Sequence, residues 1–192
     1  MSVILDILGS TVMLGSIILT ILGINVNMNT ETTKSAEEFH MQTELVQLGR
    51  ILEFDYYKIG YDVPIGTRKI ITADTSHLKF KTNLWNGVGE VDSVEYILGA
   101  YMNVSTNPYD KILTRYENTT GVLINYSITR FVLSYYNSRD SLLAAPVTGS
   151  MLDSIKSVKI YLTIESPDPI GSDSTTAYAS GFYSKLIYPR NL

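Results

Sequence analysis

The chain has 192 residues, 45% of them hydrophobic, with 15 Lys and Arg against 19 Asp and Glu for a net charge of −4. That apolar content supplies a core for one domain of ordinary size, so disorder is not the default, and no basic stripe marks nucleic acid as a partner. Cysteine is absent, which excludes disulfides, thiolate catalysis and zinc–cysteine sites together.

The first element is an apolar run from Val3 to Val26, broken by one charge, Asp6. As a helix it spans about 36 Å at roughly 1.5 Å per residue, enough to cross a hydrocarbon core of about 30 Å. No Lys or Arg precedes Lys34 and no A-x-A-like site follows, so the run reads poorly as a secretory signal. A single-pass anchor is the plain alternative. Asp6 argues for something narrower, because a carboxylate costs about 2.5–3.5 kcal/mol near the middle of a bilayer unless neutralised. Small residues also recur at sevens, Ser2, Gly9, Ser16 and Gly23, with Thr20 on the same face. Such a stripe lets helices approach closely, and it predicts packing against copies of this chain or a close relative.

Asn25–Thr33 is rich in Asn and Thr, whose side chains compete for backbone hydrogen bonds, and predicts a break in the helix. Ser35 and Glu38 then stand at capping-box spacing and predict a restart. Met41, Leu45, Leu48, Leu52, Tyr56 and Ile59 follow at steps of three and four, an apolar stripe to lie against a sheet, with Phe39 and Val46 widening it. Gly60 is a natural stop.

Beyond Pro64 the period changes to two. Strands are predicted at Lys69–Ala73, His77–Thr82, Glu90–Leu98, Lys111–Glu117, Val122–Asn125, Ile128–Tyr136, Ser157–Glu165 and Tyr178–Tyr188. Asn86-Gly87 and Asn118–Gly121 supply turns, and Pro167–Thr176 reads as a loop by composition. The plan is α+β: residues 1–59 as an N-terminal membrane and assembly helix, and 60–192 as a globular head built on an antiparallel sheet.

This order, with its apolar outer half-helix, amphipathic inner half and antiparallel sheet, resembles the type IV pilin superfamily. ILEFDYYKIGYDV (Ile51–Val63), ITADTSHLKFKTNL (Ile71–Leu84) and SIKSVKIYLTIES (Ser154–Ser166) resemble minor pilins and J-type pseudopilins in particular. The resemblance implies a carboxylate at the fifth residue of the mature helix, pairing with a neighbour's terminal amine. Removal of Met1 would make Asp6 that residue. Gly15 and Gly23 then fall where the family helix tends to carry Gly and a helix breaker. The chain departs from the family in lacking the short basic leader and in having Asp where Glu is usual.

Chemistry of other kinds leaves little trace. His40 and His77 are far apart with no carboxylate pattern joining them, and read as surface or core residues, so no metal is expected. No G-x-S-x-G, H-E-x-x-H or phosphate-loop motif occurs. Asn83, Asn86, Glu90 and Asp92 have too few acids for a calcium loop and read better as a hairpin turn. Sequons start at Asn103, Asn118 and Asn125. Tyr56, Tyr57, Tyr135 and Tyr136 read as core or sheet packing. The expectation is a cell-surface filament subunit without catalysis or cofactor, held in a membrane before it assembles with copies of itself or related pilins. The alternative is a single-pass anchored β-domain that binds a ligand or partner.

Overall fold

The computed structural model describes residues 2–87, 90–103, 105–169 and 178–192. One α-helix, α1 (Ser2–Tyr57), runs for 56 residues, about 84 Å. It continues unbroken through Asn25–Thr33, where an interruption is expected from the sequence. The reason is local. Thr30, Thr32 and Thr33 donate their hydroxyls to the carbonyls of Val26, Met28 and Asn29 at 3.0, 2.7 and 2.9 Å. Each bond reaches four residues back within the same helix, so side chains that compete for the backbone satisfy it without breaking it. The Ser35–Glu38 spacing therefore caps nothing, since no helix begins there.

After Tyr57 the helix tightens. Lys58 and Ile59 donate their N–H groups to Asp55 and Tyr56, three residues back, at 3.1 and 3.2 Å. Gly60 follows with φ of 75°, and its N–H passes to the Lys81 carbonyl at 2.9 Å. A Cβ there would meet the Asn191 carbonyl oxygen at 3.1 Å, so the left-handed turn and the close approach both select glycine.

The strands are β1 (Ile70–Ala73), β2 (His77–Thr82), β3 (Asp92–Tyr101), β4 (Lys111–Glu117), β5 (Thr120–Tyr136), β6 (Leu142–Leu143), β7 (Ser157–Glu165) and β8 (Ser180–Ile187). They form one antiparallel sheet in the order β1-β2-β3-β4-β5-β7-β8, with β6 on β5. The two runs read separately as Val122–Asn125 and Ile128–Tyr136 are one 17-residue strand. Its first part pairs with β4 as far as Ile128, and its second part pairs with β7. A change of partner, not a turn, accounts for the sequence signal there. Of the Pro167–Thr176 loop, residues 170–176 lie outside the described part.

One sheet face is apolar. Leu78, Phe80, Val94, Tyr96, Leu113, Phe131, Leu133, Ile160 and Leu162 alternate inward and bury against α1. From the helix come Met41, Leu48, Leu52 and Tyr56, followed by Ile59, all buried, with Leu45 half-buried beside them. Phe39 and Val46 do not join them: they are 68% and 52% exposed. Each stands two residues before a packed position, which at about 100° per residue turns it to the opposite side of the helix.

Candidate assembly surface

The inner half of α1 is clamped to the head by polar links as well as by its apolar stripe. Asp55, three residues after Leu52, points into the same buried face. Its Oδ2 accepts hydrogen bonds from Tyr96 Oη and Arg115 Nε, both at 2.6 Å. Arg115 Nη1 also pairs with Glu117. On the other flank of the apolar stripe Glu53 accepts from Tyr183 Oη at 2.6 Å and Lys185 Nζ at 2.7 Å. The Lys185 bond, then that of Tyr183, holds the Glu53 carboxyl below its ordinary value. Burial pushes the Tyr96 hydroxyl far up, with the Asp55 charge adding to it. These links were missed in the sequence, although a carboxylate at Asp55, in register with the apolar stripe, is a readable signal of a buried partner.

Nothing comparable covers the outer half. From Val3 to Met28 the large apolar side chains are exposed, Leu5 at 73% and Leu19 at 71%. Among the described residues this helix alone is long and apolar enough to cross a membrane, and none of its apolar window is buried. A Cβ built on Gly9, Gly15 or Gly23 meets nothing within 4 Å, so a partner backbone has room to approach. The hydroxyls are already satisfied: Ser16 donates to the Met13 carbonyl and Thr20 to the Ser16 carbonyl, both at 2.8 Å. They are therefore compatible with apolar surroundings.

Helical geometry brings Ser2, Asp6, Gly9, Ser16, Thr20 and Gly23 into one arc of about 100°. Gly15 lies outside it, about 120° round from Gly9. The Ser2 side chain is outside the described part, and Asp6 is exposed on the helix surface. Elsewhere, His40 is exposed, and His77 Nε2 meets Glu95 Oε1 at 2.7 Å. Asn83, instead of facing a calcium loop, donates through Nδ2 to Asp62 Oδ2 at 2.9 Å and to the Gly87 carbonyl at 2.7 Å. Tyr56 and Tyr135 are fully buried, whereas Tyr57 is 44% exposed.

A single long helix with a bare apolar outer half, and an inner half seated on an antiparallel sheet, is the deciding arrangement. The fold is similar to that of a type IV-like pilin. That neighbour, from Thermus thermophilus, superposes with a TM-score of 0.53 at 11% identity, over 78% of this chain and 95% of the other. No protein-family model matches the chain, and no curated protein matches its sequence. The likeness is thus one of fold, carried by the layout of helix and sheet.

Proposed function

We propose that this chain is the structural subunit of a type IV pilus-like filament at the cell surface, assembled through α1. The observation that carries the reading is the exposure of the large apolar side chains from Val3 to Met28 beside a head whose own core is complete. The head needs nothing from that segment. The segment needs apolar surroundings, which a bilayer supplies before assembly and neighbouring subunits supply afterwards. The arc of small residues at Gly9, Ser16, Thr20 and Gly23 permits the close helix contacts such a polymer core requires.

Asp6 is the charged exception, and its role follows from cost. An uncompensated charge buried among apolar helices costs several kcal/mol, so Asp6 pairs there with the terminal amine of an adjacent subunit. A contact of that kind, from one copy to the next along the axis, is head-to-tail and does not close, so it grows a filament. The head, displayed outside, is a structural and contact module in this reading, not a catalyst.

The test is electron microscopy of material sheared from the surface of cells producing the chain, with mass spectrometry of the filament fraction. The reading expects thin filaments containing this chain. Its recovery only in the membrane fraction, in cells that carry no such filaments, would favour an anchored binding domain instead.

A further inference from the structure

The sheet face turned away from α1 carries a groove of about 330 Å³ between β5 and β7. Arg130, Val132, Ser134 and Tyr136 line it from β5, and Lys159 and Tyr161 from β7. Register sets them in rows: Arg130 opposite Thr163, Val132 opposite Tyr161, and Ser134 opposite Lys159. Alternation puts all of them on the side opposite the buried Phe131, Leu133, Ile160 and Leu162. At roughly 3.3 Å per residue, the rows of the two cations stand about 13 Å apart along the strands. The Arg130 side chain closes part of that gap. Its guanidinium lies 5.0 Å from the centre of the Tyr161 ring, which stands in the row between them.

The charges in this groove are uncompensated. No acidic side chain lines it among the described residues. The salt bridges of the described residues use neither Arg130 nor Lys159, whereas Lys79 and Lys185 are paired with Glu95 and Glu53. Two like charges that converge on one groove repel each other until an anion joins them. The floor between them is aromatic and hydroxylated. Tyr136 and Tyr161 are half-buried and offer ring faces as well as hydroxyls, and Ser134 adds another hydroxyl. On β8, Leu186 stands opposite Lys159 and Phe182 opposite Thr163, which extends the apolar margin of the same face. Phe182 is 71% exposed.

We propose that this groove binds an acidic oligosaccharide, a run of sugar rings that carry carboxylates. Arg130 takes one carboxylate with its planar fork, and Lys159 meets a second as a point charge. The C–H faces of the sugar rings pack on the tyrosine rings, while their hydroxyls reach Ser134 and the tyrosine hydroxyls. Charge and shape select this class over two others. A lone inorganic anion uses the cations and leaves the aromatic floor empty. A nucleic-acid strand carries a phosphate on every residue, and the net charge of −4 on the chain opposes so dense a polyanion. Two separated cations with rings between them suit a ligand whose charges are also separated by rings. The groove lies away from α1, so binding there is independent of whether the chain polymerises.

The experiment is equilibrium dialysis of the intact chain, in nonionic detergent micelles, against radiolabelled hexagalacturonate, with neutral maltohexaose and a hexathymidylate strand beside it. The acidic sugar is expected to bind saturably, the neutral one about tenfold more weakly or less, and salt raised from about 50 to about 500 mM should weaken the acidic sugar alone. Arg130→Gln and Lys159→Gln should each weaken hexagalacturonate about fivefold or more, and the two together should abolish its binding. Tyr161→Leu, which keeps an apolar side chain on the strand, should weaken both sugars. Lys34→Gln removes the same charge far away on α1 and should change nothing. Arg130 and Lys159 are exposed, so an unchanged Tm is expected for their variants. Absence of hexagalacturonate binding to the intact chain overturns the proposal, as does equal binding of maltohexaose, a comparison that needs no variant. Binding that survives in the Arg130 and Lys159 double variant overturns it too. Tighter binding of hexathymidylate, lost with the same pair, would identify a nucleic-acid strand as the occupant and equally overturn it.

Discussion

Arg115 reaches from β4 to the last turn of α1 and grips Asp55 with two donors, Nε to Oδ2 at 2.6 Å and Nη2 to Oδ1 at 3.2 Å. Asp55 is 1% exposed, so its carboxyl oxygens take their hydrogen bonds from those donors and from Tyr96 in place of water. Removing the cation alone is the damaging change. Arg115→Met is expected to cost about 3–5 kcal/mol, because it strands a buried carboxylate. The pair Asp55→Leu with Arg115→Met should cost clearly less than that single change. Denaturant unfolding of the two variants, compared at equal m-value, checks the order.

The two core tyrosines beside this link should behave oppositely. Tyr56 is fully buried with its ring edge-on to Phe80 and Tyr96, and its hydroxyl finds no hydrogen-bond partner among the described residues. Tyr96 donates to Asp55. Tyr56→Phe is therefore expected to be neutral or stabilising by up to about 1 kcal/mol, and Tyr96→Phe to cost about 1–3 kcal/mol. Thermal melts of both variants decide it.

Glu53 gives stability a pH dependence of known sign. Its carboxyl is held below the ordinary value of 4.5 by Lys185 first and Tyr183 second. A folded pKa below the unfolded one contributes stability that is complete above about pH 4.5 and is lost as pH falls through the folded value. Both partners are partly exposed, so the contribution is at most about 1 kcal/mol. The Tm difference between the native chain and Glu53→Gln should be largest near neutral pH and should vanish in strong acid.

Much of this was legible in the sequence, for identifiable reasons. The stripe Met41–Ile59 repeats at helical spacing, and strands β2 and β7 alternate cleanly, so their placement follows from period alone. The break expected at Asn25–Thr33 does not form, because propensity alone carries no sign of the threonine back-bonds that hold the helix. β5 was split because period does not say that a strand can change partner at Ile128. Phe39 and Val46 are apolar yet lie on the far side of the helix, since apolar character alone does not follow the turn.

Asp6 should matter to assembly and not to folding. It lies far along α1 from the head core, so Asp6→Ala should leave the melting of the head unchanged. On the proposed pairing, the same change would strand an amine among apolar helices at several kcal/mol, where each 1.4 kcal/mol is about tenfold. Filament yield is expected to fall at least tenfold, measured by quantitative blotting of sheared material, with membrane insertion retained.

The division of labour along α1 makes the strongest demand. Removing residues before Glu31 keeps the Met41–Ile59 stripe on the sheet and discards only the bare apolar half. Removing residues before Tyr61 uncovers the inner sheet face and should produce aggregates. The most direct measurement is negative-stain electron microscopy of the purified intact chain as detergent is withdrawn, beside the chain starting at Glu31. The account predicts thin, regular filaments from the intact chain and a soluble monomer from the shortened one. Filaments from both, or an intact chain that never forms them, would contradict it.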